Sequence, residues 1–181
     1  MRIHRYTPPH LTGAQKQLYD TVVGGPRAQG PQHFALTDES GALNGPFNAF
    51  LMSPRVGAAL QEVGVAIRYQ TALTDRQREI AILLVAGRWD SSFERDSHEK
   101  IARAIGVTDA ELASLRAASS DAFAGAEALV VRTVSALLDG DLDDAQWDAA
   151  ASVLGPEEVF ELTALVGYYA TLALQLRVFR V

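Results

Sequence analysis

The chain has 181 residues, no cysteine and a formal net charge of −6. Disulfides, thiolate catalysis, zinc–thiolate sites and iron–sulfur clusters are therefore excluded, and no Lys/Arg cluster offers the basic face that nucleic-acid binding requires. At 48% hydrophobic residues the composition is that of an ordinary globular chain, one domain or one domain with an arm.

In chain order, the start MRIHRYTPPH has no apolar core of a secretory signal, so a cytoplasmic location is the default expectation. A first helix is expected from about Thr12 to Val23, stopped by Gly24-Gly25-Pro26. An irregular stretch follows to about Pro46, with Gly30-Pro31, Asp38, Gly41, Asn44 and Gly45 as breakers. A loop of that length is often functional or wrapped on a partner. Residues 1–45 thus read as an N-terminal helix and irregular arm, and residues 46–181 as one helical domain.

Ser53-Pro54 opens a second helix that runs to about Tyr69. Thr74-x-x-Gln77 is a capping box for the third. Its interior, Ile80 to Ala86, is apolar all round, as in a helix at the centre of a protein. The fourth starts at Asp90 or Ser91 and ends at Gly106, a left-handed cap followed by apolar Val107. Thr108-x-x-Glu111 opens a short fifth helix, Phe123–Leu138 forms a sixth and Asp143–Leu154 a seventh. The last begins with Pro156, with Glu157 and Glu158 at the positive end of its dipole. Its apolar run, Leu162 to Leu176, falls short of the roughly 20 residues that span a bilayer, so a buried or subunit-interface helix is expected and no membrane association. The fold class is all-α, a helical bundle.

The region with chemical content is Glu79 to His98. On the fourth helix Ser91, Glu94, His98, Ile101 and Ile105 share one stripe, which sets Glu94 and His98 one turn apart at the border of the core. A half-buried carboxylate beside an imidazole is a proton-transfer pair. Plainer readings remain open. Ser91-x-x-Glu94 is also a capping box. Glu94 and His98 also fit a surface i, i+4 pair, and a lone core-facing histidine is often structural. Glu79 also fits an ion pair with Arg76 or Arg78. Glu94 and His98 supply only two metal ligands, with no third at matching spacing. His4, His10 and His33 lie in the arm and loop, so no metal site is expected.

The run Arg78-Glu79-Ile80-Ala81-Ile82-Leu83-Leu84-Val85-Ala86-Gly87-Arg88-Trp89, then Phe93-Glu94 and His98-Glu99-x-x-Ala102-x-x-x-Gly106, resembles the core motif of the carboxymuconolactone decarboxylase and alkylhydroperoxidase D-like superfamily. Gly45-Pro46-Phe47-Asn48-Ala49-Phe50-Leu51-x-Ser53-Pro54 and Glu161-Leu162-x-Ala164-Leu165-Val166-Gly167-Tyr168-Tyr169 resemble decarboxylase-like members too. The redox branch carries Glu, then Cys-x-x-Cys, then His. Aligning Glu79 and His98 to it places Ser91 and Glu94 at the cysteine positions, so thiol peroxidase chemistry is excluded. Glu94 there matches the decarboxylase branch. One departure is Arg95-Asp96, where related sequences often carry aromatic residues.

The resemblance implies a helical bundle of the alkylhydroperoxidase D-like type and a homo-oligomer, trimer or hexamer. It also implies a cofactor-independent site around His98, Glu79 and Glu94. The expected reaction is decarboxylation, or isomerisation, of a small carboxylated lactone or related organic acid. Arg88 or Arg95 is expected to hold the substrate carboxylate, with Ser91 and Trp89 also lining the binding site. The other reading is a small-molecule-binding or scaffold protein that kept the fold without the chemistry.

Overall fold

The computed structural model describes residues 2–29 and 33–181. The predicted breakers Gly30 and Pro31 lie outside them. Nine α-helices and no strand are present among the described residues, and Thr37 and Leu43 form only an isolated bridge. The chain is all-α. The helices are α1 (Gly13–Gly24), α2 (Pro46–Phe50), α3 (Pro54–Tyr69), α4 (Asp75–Arg88), α5 (Ser92–Ala104), α6 (Asp109–Arg116), α7 (Gly125–Asp139), α8 (Asp144–Val153) and α9 (Pro156–Phe179). Helix α2 lies between the irregular stretch expected to end at about Pro46 and the helix expected from Ser53-Pro54, where no helix was expected. Gly45 at φ 59° reverses the chain, and Pro46 at the first helical position then sets the short turn.

Two compact units divide the chain. One comprises the residues up to Ala66 together with Leu174–Val181. Its arm and loop are tied to their own unit by polar contacts. Asn48, fully buried, accepts from Tyr6 N and donates to His4 O, both at 3.0 Å. Arg5 pairs with Asp38, whose Oδ1 accepts from Ser40 N at 2.9 Å and Ala42 N at 3.1 Å. In α3, Gly57 lies so close to its neighbours that a Cβ would meet Phe50 O at 2.4 Å and Leu18 Cδ2 at 2.9 Å.

The other unit is Ile67–Ala173. Thr74 and Gln77 form the expected reciprocal capping box. Every residue of α4 from Gln77 to Ala86 is buried, because this helix packs against α5, α6 and α7 at once. Its end is a Schellman motif with Asp90 in the left-handed region (φ 49°). Asp90 N–H bonds to Gly87 O at 3.1 Å, and Ser91 N–H to Ala86 O at 2.9 Å. Asp tolerates this conformation better than most residues. Gly106 ends α5 in the same way, as its sequence signature implied. Helix α9 runs for 24 residues, past both ends of the apolar run. By length and composition it is sufficient to cross a membrane, but half of its most apolar window is buried inside the protein. A core helix passes the same test, and Leu162, Leu165, Tyr168 and Tyr169 are among its buried residues.

Candidate active site

Helix α4 carries Glu79 one turn beyond its cap, and the Schellman turn reverses the chain so that α5 packs back along it. This brings two residues 19 positions apart together: His98 Nδ1 lies 2.6 Å from Glu79 Oε2. Both side chains are buried, and Glu79 is 0% exposed. The other Glu79 oxygen faces Arg68 Nη1 at 3.7 Å. The Arg68 guanidinium also lies beside Tyr169. The Tyr169 ring meets His98 edge to face, with centroids 5.3 Å apart.

Burial alone drives the Glu79 carboxyl toward its neutral form. The positive charge of His98, the hydrogen bond to it, and the guanidiniums of Arg68 and Arg78 together outweigh that burial. They hold the Glu79 pKa below its ordinary 4.5. Glu79 is thus an anion among cations, and because a carboxylate only accepts, the proton of the shared bond sits on Nδ1.

The ion pairs expected for Glu79 from its own helix are not formed. Arg76 instead reaches Glu111 at 2.6 Å and Glu127 at 2.7 Å, and Arg78 pairs with Asp75. Both arginines find carboxylates nearer the protein surface, and Glu79, facing inward, takes its partners from α5 and α3.

Glu94 has a different environment. It is 2% exposed, and neither of its oxygens has a hydrogen-bond partner among the described residues. Ser91 occupies the N-cap position of α5 without making a side-chain capping bond, and its Oγ is likewise buried and unpartnered. The capping-box reading of Ser91-x-x-Glu94 is therefore overturned. The surface-pair reading of Glu94 and His98 falls too, since both are buried. Burial pushes the Glu94 pKa up to about 8, and the nearby Ser91 hydroxyl, outside hydrogen-bond geometry, offsets only part of that. Two carboxyls within one sequence motif are thus held in opposite states by their surroundings, which is how proteins separate acid from base at neutral pH.

The remaining candidates lie elsewhere around the α4–α5 turn. Arg88 pairs with Asp139 at 3.2 Å. Arg95 stands 3.6 Å from Asp90 and 3.9 Å from Asp96. Trp89 is the half-buried C-cap of α4. Two cavities open here, of about 210 and 300 Å³, with Arg95 lining the smaller and Arg88 the larger. Glu79, Glu94 and His98 line neither of them. Among the described residues no three His, Asp or Glu side chains converge as a metal site.

Arg68 and Tyr169 were not singled out as site residues from the sequence. Arg68 falls in the last turn of α3, where a cation is ordinarily explained by the helix dipole. Tyr169 sits in an apolar helix where an aromatic residue reads as core.

No curated protein matches the chain. The profile of the carboxymuconolactone decarboxylase family matches residues 54–139, from the first residue of α3 to the last of α7. That span contains Arg68, Glu79, Glu94 and His98, while Tyr169 lies beyond it. The fold is the all-α, alkylhydroperoxidase D-like one of that family. Over residues 54–139, just under half of its length, this cysteine-free chain is thus similar to the carboxymuconolactone decarboxylase family.

Proposed function

We propose that the protein is a cofactor-independent acid/base enzyme acting on a small carboxylated lactone or related organic acid, by decarboxylation or isomerisation. The observation that carries this reading is the buried Glu79–His98 couple at 2.6 Å. In decarboxylation the substrate carboxylate leaves as carbon dioxide, and its bonding electron pair passes into the conjugated lactone. A proton is then delivered to the resulting enolate carbon. His98 moves that proton through Nε2. Glu79 fixes the tautomer and ring orientation and stabilises the imidazolium, as a carboxylate does for a catalytic histidine. Glu94, neutral at pH 7, supplies a proton or hydrogen bond to the oxygen on which negative charge develops.

The test is carbon dioxide release from 4-carboxymuconolactone by the purified protein. His98→Ala and Glu79→Gln are each expected to lower turnover by roughly 10²-fold or more. Unchanged rates in both variants would remove these residues from the mechanism. Absence of release by the parent protein would move the substrate to another small acid or lactone.

A second reading, a binding or scaffold protein, has one observation in its favour: the two cavities of Ile67–Ala173 described above are not lined by the couple. On that reading, truncating His98 alters stability and leaves ligand binding as it was. A homo-oligomer, trimer or hexamer, also belongs to this proposal. Phe160, a large apolar side chain in α9, is 72% exposed, which suits a face covered by another copy. Light scattering that finds only monomer at micromolar concentration would oppose it.

A further inference from the structure

We propose that the cleft formed by the two adjoining cavities beside Gly87 is a second binding site, for a small carboxylate with an apolar body. Both cavities are lined by Gly87, Leu115 and Arg116, so they adjoin along that edge. The floor is hydrocarbon: Leu83, Leu112 and Leu115 are all buried. Such a surface takes up an aromatic or aliphatic body and offers nothing to a bare inorganic anion.

The charge at the rim is uneven. Glu99 is the one carboxylate lining the smaller cavity, and two arginines already occupy it. Arg116 donates to its Oε1 from Nε at 2.9 Å and Nη2 at 2.6 Å, and Arg103 donates to its Oε2 at 3.3 Å. Arg95 is left over. Its nearest carboxylates, Asp90 and Asp96, are beyond hydrogen-bond distance. Their side chains are 86% and 73% exposed, so water screens them. Among the described residues the Arg95 guanidinium has these two long ion pairs and no hydrogen bond. Its planar fork, one-third exposed, fits a ligand carboxylate in a bidentate pair. Arg116, already oriented by Glu99, flanks the same space. At Gly87 a Cβ would meet no atom within 4 Å, so the middle of the cleft is open.

This site is beside the Glu79–His98 couple and distinct from it. At about 100° per residue, Leu83 and Gly87 lie some 40–80° around α4 from Glu79, and Arg95 and Glu99 some 60–100° around α5 from His98.

Benzoate is the probe, titrated calorimetrically into the full chain, with inorganic phosphate as the comparison. Benzoate is expected to bind at millimolar concentration or below, and phosphate more weakly. Arg95→Gln should weaken benzoate by roughly ten-fold or more. Gly87→Leu should block it. His98→Ala should leave it unchanged. Arg95→Lys keeps the charge and loses the fork, so an intermediate loss is expected. Thermal melts confirm that each variant is folded. Three results would each overturn the proposal: no benzoate binding to the parent protein, parent-like binding by Arg95→Gln and Gly87→Leu, or loss confined to His98→Ala.

Discussion

Glu94→Gln tests the environment of the site without a substrate. The fold accepts Glu94 only as a neutral acid, and burial raises its pKa from 4.5 to about 8. Below pH 4.5 the group is protonated in the folded and unfolded chain alike and contributes nothing. Between pH 4.5 and 8 the unfolded chain ionises and the folded one does not. Unfolding then releases a proton, and stability falls by about 1.4 kcal/mol per pH unit. The accumulated loss is about 3 kcal/mol at pH 7 and on the order of 5 kcal/mol above pH 8, where it levels off. Glutamine has the shape of the protonated acid and never ionises. The stability of Glu94→Gln relative to the parent should therefore rise with pH across that window, read as paired urea denaturations from about pH 4 to pH 8. Taking the difference cancels every other titrating group that the substitution leaves alone. If Glu94 were a capping residue the sign would reverse, and the variant would lose about 1 kcal/mol at neutral pH. A difference that stays flat with pH would refute the reasoning, since it would mean that the carboxylate is ionised inside the fold and has a counter-charge.

Glu79→Gln should behave in the opposite way. The folded Glu79 carboxyl is held below 4.5 by His98 and the arginines, so the stability it contributes is present above pH 4.5 and is lost as pH falls through the lowered value. The gap between parent and variant should be widest near neutral pH and close on acidification; a gap that widens in acid would contradict the assignment. Two glycines in helices should respond with opposite signs. Gly57→Ala drives a Cβ to 2.4 Å from Phe50 O, and a loss of roughly 1–3 kcal/mol is expected from the overpacking. Gly87→Ala meets no atom within 4 Å and should gain up to about 1 kcal/mol from helix propensity. Thermal melts of the two variants read both, and equal effects would show that the space around these positions does not govern the outcome.

Much of the secondary structure was legible in the sequence because its signals are local. Thr74 with Gln77 and Thr108 with Glu111 mark helix starts through bonds made within one turn. Gly106 marks a stop through its backbone freedom. The all-apolar run Ile80–Ala86 announced a helix with no exposed side, and α4 is that helix. The same local reading misjudged Ser91-x-x-Glu94. Its spacing equals that of the true boxes, but the Ser91 side chain makes no cap bond, and Glu94 is buried away from the solvent that a capping side chain ordinarily shares.

What the sequence by itself determined is which of the longer helices form, in what order, and what chemistry is absent: without a thiolate there is no disulfide exchange, whatever the fold. What only the tertiary structure decided is who meets whom. Glu79 had arginines at positions 76 and 78 within reach along its own helix, and its closest partners are instead His98, 19 residues away, and Arg68. Glu94 and Glu79 are the same residue type a few turns apart, yet one is driven neutral and the other anionic. The physical reason is range. Helix periodicity and capping act over three or four residues. Desolvation and Coulomb attraction depend on what a neighbouring helix brings to within a few ångströms, and that is settled by packing.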